Sequence, residues 1–310
     1  MRTSVVMCKQ VQPLLNIPPT TKDKVVVVVG ATGTGKSRLA VDLAARFSGE
    51  VINSDKIQAH RGLAIATNKV AEEERRGIPH HLLGFVDPHE DFTASEFRHA
   101  ATLAVRSITS RRHLPIVAGG SNSYIEDLID GGNREFKSNF DCCFIWVDVS
   151  PPVLHSFISD RVDRMVENGL VEEIGEIFDL NSDYSRGIKR AIGVPELDFY
   201  FRSENFLDEE ARKKVLRKAI DEIKSNTCKL AERQVAKIQR LRKVNGWRLH
   251  RLDATEVFRR RNGGDADAAW EELVAAPGKM IVRRFISGFG REVRRNITPA
   301  RAAVAVAGSH

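Results

Sequence analysis

The segment Gly30-Ala-Thr-Gly-Thr-Gly-Lys-Ser37 has the G-x-x-x-x-G-K-S spacing of a phosphate-binding loop. Gly30, Gly33 and Gly35 allow successive backbone N–H groups to turn inward around a di- or triphosphate, and the N-terminus of a following helix adds its dipole. Lys36 supplies a neutralising ammonium, and Ser37 a hydroxyl of the kind that ligates magnesium. A second chemical group stands at Asp55, in Asn53-Ser54-Asp55. A carboxylate beside a bound diphosphate is suited to accept a proton from an incoming nucleophile. The same residue also reads as a turn or helix cap.

A phosphate loop alone does not say whether phosphate is transferred, hydrolysed or held. P-loop ATPases usually end an apolar strand in a carboxylate that helps hold magnesium, whereas Leu114-Pro-Ile-Val-Ala118 runs into Gly119-Gly120-Ser121. The base-reading Asn-Lys-x-Asp of GTPases is missing too, since Asn68-Lys69 is followed by Val70-Ala71. The residues are built to grip a diphosphate without the usual hydrolytic apparatus.

These groups need a scaffold. Lys24-Val-Val-Val-Val-Val29 predicts a strand buried on both faces, as in parallel sheets. Leu39, Ala40, Leu43, Ala44 and Phe47 then recur at helical spacing, and Gly49 supplies a stop. A second strand over Glu50 to Ile52 places Asp55 at its carboxyl end, where ligands bind in open α/β sheets. A helix over Phe97 to Ile108 and strands over Leu114 to Ala118 and Cys143 to Val149 extend the alternation. Beyond Ser150-Pro-Pro152 the periodicity turns helical. It predicts two long helices, over Leu154 to Asp179 and Asp208 to Leu241, before a strand over Trp247 to Leu252 and a helix over Asp267 to Ala275. The expected fold class is α/β, a P-loop NTPase-like parallel sheet core with an inserted helical domain. The expected partition is a leader over 1–23, the core over 24–152, a helical substrate domain over 153–245, a return to the core over 246–290 and a flexible tail over 291–310.

Composition sets the outer bounds. With 310 residues, 42% hydrophobic and 29% charged, the chain falls in the range of globular enzymes and outside that of disordered or collagen-like sequences. The apolar run Val25 to Val29 is far shorter than the ~20 residues of a membrane-spanning helix, so no membrane partner is expected. Lys and Arg number 48 against 41 Asp and Glu, a net charge of +7. The runs Arg212-Lys213-Lys214, Arg240-Leu-Arg242-Lys243 and Arg259-Arg260-Arg261 fit nucleotide phosphates or RNA, and fit equally the solvated face of a long helix. Adjacent Cys142-Cys143 and the lack of paired spacings point to a reducing compartment and away from structural zinc. His80-His81 is not a metal signature, because adjacent side chains point in different directions. Residues 1–23 carry Arg2 and Lys9, several hydroxyls and no acid before Asp23, a transit-peptide composition.

Beyond the phosphate loop, an ordered series of motifs resembles the isopentenyltransferase family. The series is Asn53-Ser-Asp-Lys-Ile-Gln58, Thr67-Asn-Lys69, Gly77-Ile-Pro-His-His-Leu82, Asp87-Pro88, Phe92-Thr-Ala94 with Phe97, and Gly119-Gly-Ser-Asn-Ser-Tyr-Ile125. Arg161-Val-Asp-Arg-Met165 with Gly169, Ala191-Ile-Gly193 and Leu230-Ala-Glu-Arg-Gln234 continue it, so the likeness runs from about Lys24 to Phe285. The resemblance implies transfer of a dimethylallyl group from dimethylallyl diphosphate, with magnesium as cofactor, to the exocyclic amine of adenine. Its two branches differ in acceptor: tRNA in one, and free ATP, ADP or AMP in the plant adenylate branch that begins cytokinin synthesis. Gly-Gly-Ser-Asn-Ser-Tyr-Ile, Asp-Lys-Ile-Gln and the lack of a C-terminal zinc finger are similar to the adenylate branch.

In the roles the resemblance implies, Asp55 takes the amine proton, and Lys36, Lys69 and Arg161 grip the diphosphate. Thr34, Ser37 and Ser121 serve as hydroxyl partners. Without the resemblance, Lys69 and Arg161 read as surface charge. The chain departs from the family where Gln58 is followed by Ala59-His60 and Leu63 by Ala64-Ile65-Ala66, in place of Val-Tyr and of Asp-Ile. A loop carboxylate is thereby lost near the base, which weakens the contacts expected to orient the loop toward Lys69; His60 reads as a titrating group or a solvent-facing one. The rival readings are a tRNA dimethylallyltransferase, whose basic helices clamp RNA, a P-loop small-molecule kinase in which Asp55 activates a hydroxyl, and a non-enzymatic nucleotide switch. The family likeness favours the plastid, with the cytoplasm as the alternative.

Overall fold

The computed structural model describes residues 22–261 and 263–288. The leader, except Lys22 and Asp23, and the tail over 291–310 lie outside the described residues. The first strand, β1 (Asp23–Gly30), is central and its five valines are buried. Val26 and Val28 pack with Leu39 and Leu43 on one side of the sheet, and Val25, Val27 and Val29 with Phe97, Ile125 and Leu128 on the other. Burial on both faces is why the run shows no polar alternation. Helix α1 (Lys36–Phe47) follows the phosphate loop and ends at Ser48, at φ 50°, whose N–H bonds the Ala44 carbonyl. The left-handed stop is therefore Ser48, and Gly49 instead begins β2 (Gly49–Asn53).

The chain continues through α2 (Glu72–Arg75), the edge strand β3 (His80–His81) and α3 (Ala94–Ser110). Thr93 and Glu96 cap α3 reciprocally, satisfying two of its free N–H groups. Then come β4 (Leu114–Ala118), α4 (Asn122–Asp130), α5 (Glu135–Asn139) and β5 (Phe140–Asp148). With β6 (Leu249–Asp253) these strands form one six-stranded parallel sheet in the order β3-β2-β4-β1-β5-β6. Ala118 pairs with Val28 on one side and Asn53 on the other. The loops leaving β1, β2 and β4 therefore emerge side by side at the carboxyl edge.

Between β5 and β6 lie α6 (Pro151–Glu167), α7 (Leu170–Gly175), α8 (Val194–Ser203) and α9 (Glu209–Lys243). The single helix expected over 154–179 is broken: Gly169 takes φ +95° and redirects the chain into α7. Helix α8 escaped the periodicity reading because it is short and largely half-buried. The 35-residue α9 corresponds to the second expected long helix. Both α6 and α9 reach across two cores. Leu154, Ile158 and Ala231 pack on the sheet, while Val162, Ala219 and Ile223 join Leu170, Ile174 and Leu197 in a helical cluster. Past β6 the chain forms α10 (Thr255–Arg259) and α11 (Ala266–Trp270), then a π turn over Glu271–Ala275 that runs straight into α12 (Ala276–Ser287). The last helix thus extends beyond the expected end at Ala275. Among the described residues no helix is long and apolar enough to cross a membrane.

Candidate active site

The phosphate loop bends between β1 and α1. Gly35 adopts φ +89°, and a Cβ there would stand 2.7 Å from the Trp270 ring, so the position has room for no side chain. Thr34 is buried and its hydroxyl donates to the Ala31 carbonyl at 2.9 Å, closing the loop on itself. Ser37 is exposed on the first turn of α1. Lys36 is buried, with its Nζ donating to the Ala31 carbonyl at 2.6 Å. Burial pushes its pKa down to about 8, against the pull of the Asp55 carboxylate and helped by the Arg161 guanidinium. An ammonium held in this way gains from the arrival of an anion, which restores its ordinary affinity for a proton.

Arg161 arrives from α6. Its Nη2 donates to Thr32 Oγ1 at 3.1 Å, and its buried Nε has no hydrogen-bond partner. Burial, with Arg164 adding repulsion, lowers its pKa to about 10. The surface-charge reading of Arg161 therefore does not describe it: the side chain lies against the phosphate loop. Lys69, half-buried, donates to the Gly62 carbonyl at 2.6 Å and to Thr67 Oγ1 at 3.0 Å. Burial brings its pKa to about 8, opposed by Glu173 and Asp55. Asp55 is thus within electrostatic reach of both lysines.

The two readings of Asp55 are compatible, because its oxygens do different things. Oδ1 accepts from the Ile57 and Gln58 N–H groups at 3.0 and 3.4 Å, capping the turn. Oδ2 faces Gly120, 3.4 Å from where a Cβ would stand. Ser121 sits on the neighbouring loop, where its Oγ accepts from the Lys56 N–H at 2.9 Å. The structure therefore gathers Lys36, Arg161 and Asp55 with the phosphate loop, sets Ser121 beside the Asp55 turn, and leaves Lys69 at the rim.

Three features lay outside the sequence reading. His60 does not face solvent: it is fully buried, and its Nε2 donates to the Glu90 carbonyl at 2.9 Å. The carboxylate missing at Ala64 is answered from another element, as Glu173 of α7 accepts from the Ile65 and Ala66 N–H groups at 3.0 and 2.8 Å. The weakened loop contacts expected from Ala64 are thereby supplied from 108 residues away in sequence, a distance at which no spacing rule operates. Gln234, quoted above only as the end of a motif, reaches from α9 to the phosphate loop. Its place in that motif was the one signal available.

Among the described residues no group of three or more His, Cys, Asp and Glu is arranged to hold a metal. A divalent cation would instead be held by the exposed Ser37 hydroxyl together with diphosphate oxygens and water, with few protein ligands.

A parallel sheet with a glycine phosphate loop after its central strand and the Asp55 carboxylate on a neighbouring loop defines a P-loop-type phosphate-binding site. The sequence model of the IPP transferase family matches residues 58–139 and 132–240, and the chain belongs to that family. It is 53% identical to adenylate isopentenyltransferase 3, chloroplastic, of Arabidopsis thaliana, across 99% of this chain and 96% of that protein. Adenylate isopentenyltransferase 5, chloroplastic, of the same plant is 59% identical across 86% and 81%; adenylate isopentenyltransferase 7, mitochondrial, is 52% identical across 92% and 90%. Among solved structures, a eukaryotic dimethylallyltransferase acting on tRNA superposes with a TM-score of 0.72 at 25% identity, covering 86% of this chain and 80% of that one. The tRNA isopentenylpyrophosphate transferase of Bacillus halodurans gives 0.67 at 25%, covering 88% and 99%.

Proposed function

We propose that this enzyme transfers the dimethylallyl group of dimethylallyl diphosphate to the exocyclic amine of adenine in ATP, ADP or AMP, the first step of cytokinin synthesis. The observation that carries the reading is the identity above 50%, over most of both chains, to relatives named adenylate isopentenyltransferase. The site supports it chemically. Lys36, Arg161 and Lys69, with the loop N–H groups and the Ser37 and Ser121 hydroxyls nearby, hold the diphosphate and balance the charge that grows on it as its C–O bond breaks, while Thr34, whose hydroxyl donates to the Ala31 carbonyl, steadies the loop. Asp55 orients the amine and takes its proton through Oδ2 as nitrogen bonds to the allylic carbon. Inorganic diphosphate leaves. Magnesium, for which Ser37 would supply the protein ligand, would neutralise part of that charge.

The helical unit over 153–245 is, in this reading, the part that covers the acceptor, with the core over 24–152 and 246–290 holding the donor. Modification of tRNA is a second reading, favoured by the structural neighbours and by the basic residues of α9. The plastid is the proposed location, given the chloroplastic names of two relatives and the composition of residues 1–23.

Labelled dimethylallyl diphosphate offered with magnesium to ATP, ADP, AMP and unmodified tRNA in parallel tests the assignment. Label on free nucleotide supports it and ranks the acceptors. Label on tRNA alone overturns it, and transfer of the ATP γ-phosphate to a small hydroxyl compound would make the protein a kinase.

A further inference from the structure

Gln234 bridges two loops that come from different strands. Its Oε1 accepts from the Thr32 N–H of the phosphate loop at 2.7 Å, and its Nε2 donates to the Gly120 carbonyl at 2.9 Å. The fit is close: a Cβ on Gly120 would stand 2.5 Å from that Nε2. The Gly120 turn is in turn joined to the Asp55 segment, since Ser121 N–H donates to the Ser54 carbonyl at 3.3 Å and Lys56 N–H to Ser121 Oγ at 2.9 Å. The α9 backbone is pinned from the same side, with Asn122 Nδ2 donating to the Gln234 carbonyl at 3.2 Å. Hydrogen bonds therefore link Thr32 through Gln234 and the Gly120–Ser121 turn to Ser54 and Lys56, the residues on either side of Asp55.

A carboxamide suits this post for a physical reason. It offers a donor and an acceptor at once and carries no charge. A carboxylate would repel both the incoming diphosphate and the Gly120 carbonyl, and an ammonium could not accept from Thr32. Arg161 meets Thr32 through the hydroxyl, so the amide and the side chain of one residue are held by two different helices.

We infer that Gln234 is a positioning residue for group transfer. Its amide fixes the phosphate loop against the turn that supports Asp55, so that the allylic carbon and the amine meet at the required separation. This rests on the function proposed above. Displacements near 1 Å between reacting groups cost about a hundredfold in rate, and among the described residues no other side-chain amide bridges the phosphate loop and the Gly120 turn.

Two variants test it. In Gln234→Met, which keeps length and loses both hydrogen bonds, kcat should fall about 10- to 100-fold while KM for dimethylallyl diphosphate stays within about threefold. Hydrogen–deuterium exchange on the unliganded variant should be faster across residues 30–37, where Thr32 loses its acceptor. Gln234→Glu keeps the acceptor and loses the donor; on acidification its activity relative to wild type should rise, as a protonated carboxyl donates to Gly120 again. The charged groups facing that position, Lys36, Arg161 and Asp55, are the same in both proteins, so the ratio reports the substituted side chain and its effect on them. A wild-type kcat in Gln234→Met, unchanged exchange over 30–37, or a Gln234→Glu ratio flat with pH would each overturn the inference. If the wild type itself transfers no prenyl group, the proposed function fails, and the exchange measurement still decides whether Gln234 holds the loop.

Discussion

The two ends of β2 use charge in opposite ways. At its amino end Glu50, only 3% exposed, is surrounded by donors: His81 Nε2 at 2.6 Å, His113 Nδ1 at 2.7 Å and Arg111 Nη2 at 2.8 and 2.9 Å. Burial alone would raise its pKa, yet the hydrogen bonds from His81, Arg111 and His113 bring it down to about 2. Beyond the carboxyl end, around Asp55, buried cations lean on backbone carbonyls and a hydroxyl, and Arg161 Nε has no partner. One cluster is complete within the chain. The other is short of an anion. A satisfied buried charge holds structure together, whereas one left short marks where a ligand completes the set.

If this contrast is right, substitutions at the two ends should separate rate from stability. The largest effect is expected at the carboxyl end: Asp55→Ala should lower turnover by about 10²–10⁴-fold, the usual worth of a positioned base. Diphosphate binding, followed by calorimetry, should persist; near-normal turnover would remove Asp55 from the chemistry. Next comes Lys36→Ala, which should cost about 10²–10³ in rate, on the scale of one lost electrostatic stabiliser. It should also weaken the donor, and an unchanged dissociation constant would contradict the role.

At the amino end, Glu50→Ala should lower unfolding free energy by about 2–3 kcal/mol, the scale of a hydrogen bond to a charged group. Turnover per folded molecule should be unaltered. The same carboxylate predicts an acid limb. Its folded pKa, about 2, lies below the ordinary 4.5, so its stabilisation is complete above about 4.5 and is lost as pH falls toward 2. Denaturant melts of wild type and Glu50→Gln should converge over that window. The smallest effect concerns the donor. Because Lys36 titrates near 8 when unliganded, its own contribution to the affinity for dimethylallyl diphosphate should weaken by about tenfold as pH rises from 7 to 9, read as the difference in pH dependence between wild type and Lys36→Ala. A flat difference would place the lysine's charge outside donor recognition.

Much of the core could be read from residues in a row. The valine run, the glycine loop and the helical spacing after Ser37 act over a few residues, and β1, α1, β4 and β6 lie near their expected positions. Where a side chain's role depends on a distant partner, local pattern was silent or misleading. Its neighbours in sequence leave His60 open to solvent, and only the fold puts it in the interior beside the Glu90 carbonyl. The helix expected over 154–179 stopped at Gly169, whose cost in a helix is small enough for tertiary packing to exploit.

The phosphate grip is local, because a loop that binds through its own backbone N–H groups needs only its glycines, its lysine and the strand and helix on either side. Local sequence also sets Asp55 on the loop after the second strand. Their surroundings come from long-range packing. Folding α6 and α9 back onto the carboxyl edge brings Arg161 and Gln234 to Thr32, 129 and 202 residues away in sequence. It brings Glu173 to the loop before Lys69 by the same route. Those meetings depend on how buried helix faces pack, and packing is a property of the whole chain.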